Sequence, residues 1–84
     1  MQPIHELLNR IRWDEHFGQA DFVIGYLDHV EDRIVHVKLE DVFYEPDDHF
    51  RFDVIDQDGA VHAIPFHRVR EVYRNGELIW QRKT

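Results

Sequence analysis

The stretch Ala60–Arg82, AVHAIPFHRVREVYRNGELIWQR, decides the fold. Its first part, Ala60 to Phe66, alternates imperfectly around Val61, Ile64 and Phe66 and reads as a strand. Pro65 has no N–H to give to a ladder, which puts it at a strand end or on a sheet edge. His67 and Arg68 follow where the chain must turn. Side chains just past a strand end are held by the sheet and still reach solvent. Val69 and Val72 then point inward. Asn75 and Gly76 both tolerate positive φ, as a type I′ two-residue hairpin requires. That hairpin sets a register of Arg74 opposite Glu77, Tyr73 opposite Leu78, Val72 opposite Ile79 and Glu71 opposite Trp80. The first is an opposite-charge pair and the third a β-branched pair, both favourable across strands. The same register leaves Trp80 partly exposed.

Upstream, Pro3 to Arg12 reads as a helix, with Ile4, Leu7, Leu8 and Ile11 on one face and Pro3 in the first turn, where a missing N–H costs nothing. Glu15 to Ala20 reads as a loop. Asp21 to Asp28 is the first strand, with Phe22, Ile24 and Tyr26 on one face; Gly25 on the other marks a bulge or a close approach. His29 to Asp32 turns the chain into a second strand, Arg33 to Leu39, which points Val35, Val37 and Leu39 inward. Glu40 to Asp48 is a connection, with a helical turn within Leu39 to Phe43 as one form, and Glu45-Pro46-Asp47-Asp48 closes it with turn chemistry. His49 to Asp56 is the third strand, with Phe50, Phe52 and Val54 inward, and Asp56 to Gly59 loops into the opening stretch. The expected fold is α+β: an N-terminal helix packed on a strongly curled antiparallel sheet of about six short strands, an open barrel being one form of it. Residues 1–84 are expected to form a single domain.

The chain has no cysteine, which excludes disulfides and thiolate metal sites and fits a reducing, cytoplasmic setting. No apolar run approaches a membrane span, and the N-terminus lacks a signal-peptide pattern. The net charge of −7 argues against wrapping a long nucleic-acid backbone. The charge is uneven: residues 1–67 carry 5 basic and 15 acidic side chains, and residues 68–84 carry 5 and 2. One reading is an acidic soluble protein with a basic tail. The sharper one is a small cationic spot on an acidic body, able to take one or two phosphates and not a duplex.

Seven histidines show no HExxH and no Cys-His cluster, so neither a metal nor a cofactor is expected. His62 and His67 form a candidate acid/base pair for phosphodiester chemistry, but the chain has no His-x-Thr or His-x-Ser pair, no nucleophile elbow and no glycine-rich phosphate loop. His67 with Arg68, helped by Arg70 or Arg74, suits an anion, since the arginine fork matches phosphate oxygens. The competing reading pairs Arg68 and Arg70 with Glu71 and nearby acids. Trp13, Tyr26, Tyr73 and Trp80 are candidate base-stacking platforms or core. Asp28 either accepts from a ribose hydroxyl or caps a turn.

IRWD (Ile11–Asp14), DFVIGYLD (Asp21–Asp28), IPFHRV (Ile64–Val69) and NGELIWQR (Asn75–Arg82) occur in that order. Together they resemble the small RNA cyclic group end recognition domain family, over nearly the whole chain. The resemblance implies a non-catalytic module that binds RNA 3′ ends bearing a 2′,3′-cyclic phosphate. It also implies association with RNA-end processing enzymes, since similar domains are fused to phosphoesterases and nucleotidyltransferases. It places phosphate contacts on His67, Arg68, Arg12 and Arg82, and stacking or sugar contacts on Trp13, Tyr26, Asp28 and Trp80. His29 stands where the family commonly has arginine, which implies weaker or pH-dependent phosphate affinity. Two other functions fit the residues alone: a small phosphodiesterase using His62 and His67, and an acidic protein-interaction module.

Overall fold

A computed structural model describes residues 2–45 and 47–83. The chain is α+β, with the order α1 (Ile4–Trp13), α2 (Glu15–Gly18), β1 (Phe22–Asp28), β2 (Arg33–Lys38), a 3-10 turn (Leu39–Asp41), β3 (Val42–Phe43), β4 (Arg51–Ile55), β5 (Val61–Pro65), a second 3-10 turn (Phe66–Arg68), β6 (Val69–Arg74) and β7 (Glu77–Gln81). None of its helices is long and apolar enough to cross a membrane. The α1 stripe behaves as its period dictates: Ile4, Leu7 and Leu8 are buried and Ile11 packs beside them. The loop expected after it is instead the short α2, because the Asp14 carboxylate accepts the Phe17 N–H at 3.1 Å and caps a new turn.

The strands form two antiparallel sheets, ordered β2-β1-β6-β7 and β3-β4-β5, and neither closes. The single curled sheet expected from sequence is therefore divided. Pro65 ends β5 without an N–H to offer, and the turn at Phe66–Arg68 swings the chain away, so that β6 pairs with β1. The turn at Leu39–Asp41 makes the other crossing, and the two-residue β3 brings the strand count to seven. Of the expected Glu45–Asp48 turn, Pro46 lies outside the described residues; the Asp48 N–H donates to the Glu45 carbonyl at 3.0 Å.

Two bulges shape the larger sheet. Between β1 and β6 the register slips at Gly25/Tyr26: Gly25 faces Glu71 and Tyr26 faces Val69, leaving Arg70 as the extra residue. Between β6 and β7 it slips at Val72/Tyr73, leaving Ile79 extra. The expected register holds for Arg74–Glu77 and Tyr73–Leu78, and then becomes Val72–Trp80 and Glu71–Gln81. The slip turns Trp80 inward, to 5% exposure, against the expectation that it is partly exposed. Burying an indole favours that register over strict pairing. Gly25 sits between His36 and Glu71 in one cross-sheet row, and with no side chain there His36 Nε2 and Glu71 Oε1 meet over it at 2.6 Å. A Cβ on Gly25 would lie 2.7 Å from Glu71 Cγ.

The core joins the α1 stripe to the inner faces of both sheets. Val69 and Val72 are wholly buried, and Ile24, Phe52, Val54, Ile64 and Phe66 complete its centre. Phe50, expected to point inward, is 83% exposed. β4 begins one residue later, and Phe50 instead spends its backbone on the loop: its N–H donates to Asp48 Oδ1 and its carbonyl accepts the Phe66 N–H.

Candidate anion-binding site

Phe66 anchors the turn that carries the site. Its ring is buried against Phe52, at 5.1 Å between centroids; His67 beside it is exposed as the sequence predicts, and Arg68 is half-buried. The bulge then aims Arg70 back at the same turn. Arg70 Nη1 donates to the His67 carbonyl at 2.6 Å and makes a longer contact, 3.4 Å, to the Val69 carbonyl. From β7, the Arg82 backbone N–H donates to the Arg70 carbonyl at 2.8 Å, and Arg82 Nη1 reaches the His67 carbonyl at 2.8 Å. Two guanidinium groups thus share one acceptor.

No ion pair among the described residues involves Arg68, Arg70 or Arg82. Glu71, the acid nearest in sequence, is taken by His36. The Nε atoms of Arg68 and Arg70 are buried and have no hydrogen-bond partner among the described residues. Burial, and then the charge of Arg70, push the Arg82 guanidinium below its ordinary value. The arrangement brings two cationic donors, Arg70 and Arg82, to one carbonyl of the turn that also carries Arg68.

The other residues named from sequence fall in several places. Arg12 lies with its guanidinium 5.1 Å from the Tyr44 ring. Burial raises the Tyr44 hydroxyl while Arg12 opposes that rise. Tyr44 meets Phe66 edge-on at 6.3 Å, so Arg12 is linked to the site turn through two rings and touches neither His67 nor Arg68. Trp13, at the end of α1, is 75% exposed. Tyr26 and Trp80, both named as stacking or sugar contacts, are core side chains. Tyr26 packs edge-on to Phe52, and burial, then Asp28, raise its hydroxyl. Trp80 donates Nε1–H to the Gln2 carbonyl at 2.6 Å and carries Arg82 over its ring. Asp28 is a turn cap: Oδ1 accepts the Val30 and Glu31 N–H groups.

His62 does not join His67. Its Nε2 bonds Asp56 Oδ2 at 2.7 Å, and that bond, with the Ala60 and Asp58 N–H groups, holds the Asp56 carboxyl below its ordinary value. His5 and His49 stack at 4.4 Å, and the described residues contain no group of three or more side chains able to hold a metal.

The sequence names Arg70 or Arg74 as helper of His67 and Arg68; the bulge brings Arg70 to the turn, while Arg74 Nε donates to the Phe17 carbonyl at 3.1 Å instead. Sequence reading did not single out an open groove of about 1040 Å³ between β2 and β5, one free edge of each sheet, with Arg68, His62, Lys38 and Asp28 on its walls.

The fold and this cluster define a small α+β domain with a candidate anion site built on arginines. The chain belongs to the MJ1316 RNA cyclic group end recognition domain family, whose model matches residues 1–82. No solved structure matches it.

Proposed function

We propose that the domain binds RNA 3′ ends carrying a 2′,3′-cyclic phosphate, without catalysing a reaction, in RNA processing or repair and beside RNA-end processing enzymes. The observation that supports this most is that Arg70 and Arg82 converge on the His67 carbonyl with no carboxylate paired to either among the described residues. Holding two like charges together costs free energy, and an anion between them offsets it. A terminal cyclic phosphate is a compact monoanion, so a few arginine donors suffice and an acidic body is no obstacle. In this reading Arg68, Arg70, Arg82 and the His67 imidazole hold the phosphate, with Arg12 at the margin. Asp28, at the Arg68 end of β1, offers its second carboxylate oxygen to the ribose. Trp13, the exposed one of the four named aromatics, adjoins the segment at the opposite end of β1 and does not reach the same nucleotide.

The test is an NMR titration with three short RNAs that differ only at the 3′ end: cyclic phosphate, linear phosphate and hydroxyl. Shifts centred on residues 67–70 and Arg82, strongest for the cyclic end, are expected, and Arg68→Ala should abolish them while the spectrum stays folded. Equal shifts with all three RNAs reduce the site to a generic anion contact. Opening of the cyclic phosphate by the purified domain, lost in His67→Ala, would replace the reading with the phosphodiesterase one.

A further inference from the structure

We infer that the open groove between β2 and β5 carries the nucleotides preceding the terminal phosphate, so that the domain reads an RNA end as a short single-stranded tail. This rests on the end-binding reading of the arginine cluster. Arg68 belongs both to the turn that carries the cluster and to the groove wall, which makes the two surfaces continuous. At about 1040 Å³ the groove exceeds the roughly 300–1,000 Å³ of sites that take a drug-sized molecule, and is larger than one terminal group requires.

Strand register gives the groove a direction. Tyr26 faces Val69, so the Asp28 end of β1 lies at the Arg68 end of the groove. Lys38 faces Val23, at the opposite end of β1. The chain leaves Lys38 through the 3-10 turn into β3, where Val42, Val54 and His62 form one row, so Lys38 and His62 share the far end. Three residue steps along β5 lead from His62 to Pro65, a run of about 10 Å at ~3.3 Å per residue. That exceeds the ~3.4 Å advance per nucleotide of a stacked strand.

The charged groups on the walls sort themselves by engagement. Asp28 caps its turn, and Asp56 spends one oxygen on the Asp58 and Ala60 N–H groups and the other on His62. Arg33 is bonded to Glu31. Among the described residues this leaves Lys38 and Arg68 without ion-pair partners, one at each end, against the carboxylates of Asp28, which is engaged by its turn, and Asp41. Between them the unpaired N–H groups of two strand edges supply further donors for phosphate oxygens. A chain with one charge per nucleotide, entering at Arg68 and leaving past Lys38, matches that spacing.

The experiment compares a nucleoside 2′,3′-cyclic phosphate with a trinucleotide of the same cyclic end. Each is titrated across a salt series against the wild-type chain, Lys38→Ala and Lys38→Glu; Lys38 is exposed, so both variants should fold. The trinucleotide should bind more tightly, with a salt slope steeper by about 0.7 for each added phosphate contact. Lys38→Ala should leave the mononucleotide unchanged, remove about 0.7 of the trinucleotide slope and weaken it up to about five-fold, and Lys38→Glu should weaken it further. Equal affinity and slope for the two ligands would overturn the groove path, leave the end site standing and open the two strand edges to an extended polypeptide instead. A length gain untouched by Lys38→Glu would also overturn it by routing the tail elsewhere. Failure of both ligands to bind would remove the end-binding reading itself.

Discussion

Replacing Arg82 with alanine separates what the arginine cluster does for the fold from what it does for a ligand. The change removes two contacts from the free protein: the Nη1–H bond to the His67 carbonyl at 2.8 Å and the guanidinium over Trp80 at 5.1 Å. A hydrogen bond from a charged donor contributes about 1.5–3 kcal/mol, and this one faces solvent, so the lower end applies. An exposed cation–π contact adds about 0.5–1 kcal/mol. The His67 carbonyl keeps Arg70 at 2.6 Å, so no acceptor is orphaned. Against these losses stands relief of repulsion. The two bonds to one oxygen hold the Nη1 atoms at most about 5.4 Å apart. Like charges at that distance repel by about 1 kcal/mol in water and about 3 kcal/mol at an effective dielectric of 20. The terms oppose one another, and net stability should change by no more than about 1.5 kcal/mol, which for a domain of this size is a midpoint shift of at most about 12 °C. Binding has no such offset. A phosphate that loses a charge-assisted arginine donor should bind about 1.5–3 kcal/mol more weakly, roughly ten- to hundred-fold. Calorimetric titration with a cyclic-ended trinucleotide, beside thermal unfolding of the free protein, measures both. Arg82→Lys keeps the charge without the planar fork and should fall between. Unchanged affinity would refute the cluster as the phosphate site, and a stability loss of several kcal/mol would refute the opposed charges.

Gly25→Ala places a Cβ 2.7 Å from Glu71 Cγ, so the carboxylate must swing away and release His36. A cost of about 1 kcal/mol by urea unfolding is expected, mostly recovered in Gly25→Ala/Glu71→Ala; equal costs in the single and double variants would reject the contact as the cause. Asn75→Ala strains a residue at φ 50° and removes the acceptor of the Asp21 N–H, for a loss of about 1–2 kcal/mol by the same assay. A loss below about 0.5 kcal/mol would mean that the hairpin does not depend on this residue. Asp56 is held below its ordinary 3.8 chiefly by His62, so its contribution to stability is complete above that value and fades as the pH falls through the lower folded value. In His62→Ala the Asp56 titration followed by carboxyl NMR should move up toward 3.8, and an unmoved titration would dismiss the pair.

Helix α1 was legible because Ile4, Leu7, Leu8 and Ile11 repeat at the helical period with no rival pattern, and β1 and β2 because their alternation is bounded by turn residues. Asn75-Gly76 was legible from the demand for positive φ, which Asn75 meets at 50° and Gly76 at 82°. The slip at Gly25/Tyr26 was signalled by Gly25, read as a bulge or a close approach, but its extra residue and the second slip at Val72/Tyr73 were not. An extra residue leaves composition and local propensity unchanged, and only the competition for core positions among Val69, Val72, Tyr26 and Trp80 decides where the ladder slips. Arg68 could be placed from Pro65 alone. Arg70 could be named as a helper beside Arg74, but choosing between them required the bulge that two inward valines three apart impose. The groove depends on two sheets ending side by side, which no local pattern encodes.

The charge distribution bears on why such a site would select ends. Residues 1–67 carry a net −10 and residues 68–84 a net +3. On the proposed function, a phosphodiester chain that continues past the cationic turn meets more of a protein of net charge −7 than one that ends there, which disfavours continuous strands. A strand that stops at the turn avoids that added cost. On the proposed function, discrimination against internal RNA then comes from repulsion by the body, while the arginine cluster supplies attraction that any phosphate would share. The two effects separate with salt. Screening weakens both, and because the acidic body is spread over longer distances than the donor cluster, added salt should erode discrimination against internal strands before it removes binding to ends. A domain built with a basic surface would have the opposite behaviour, losing end binding and internal binding together.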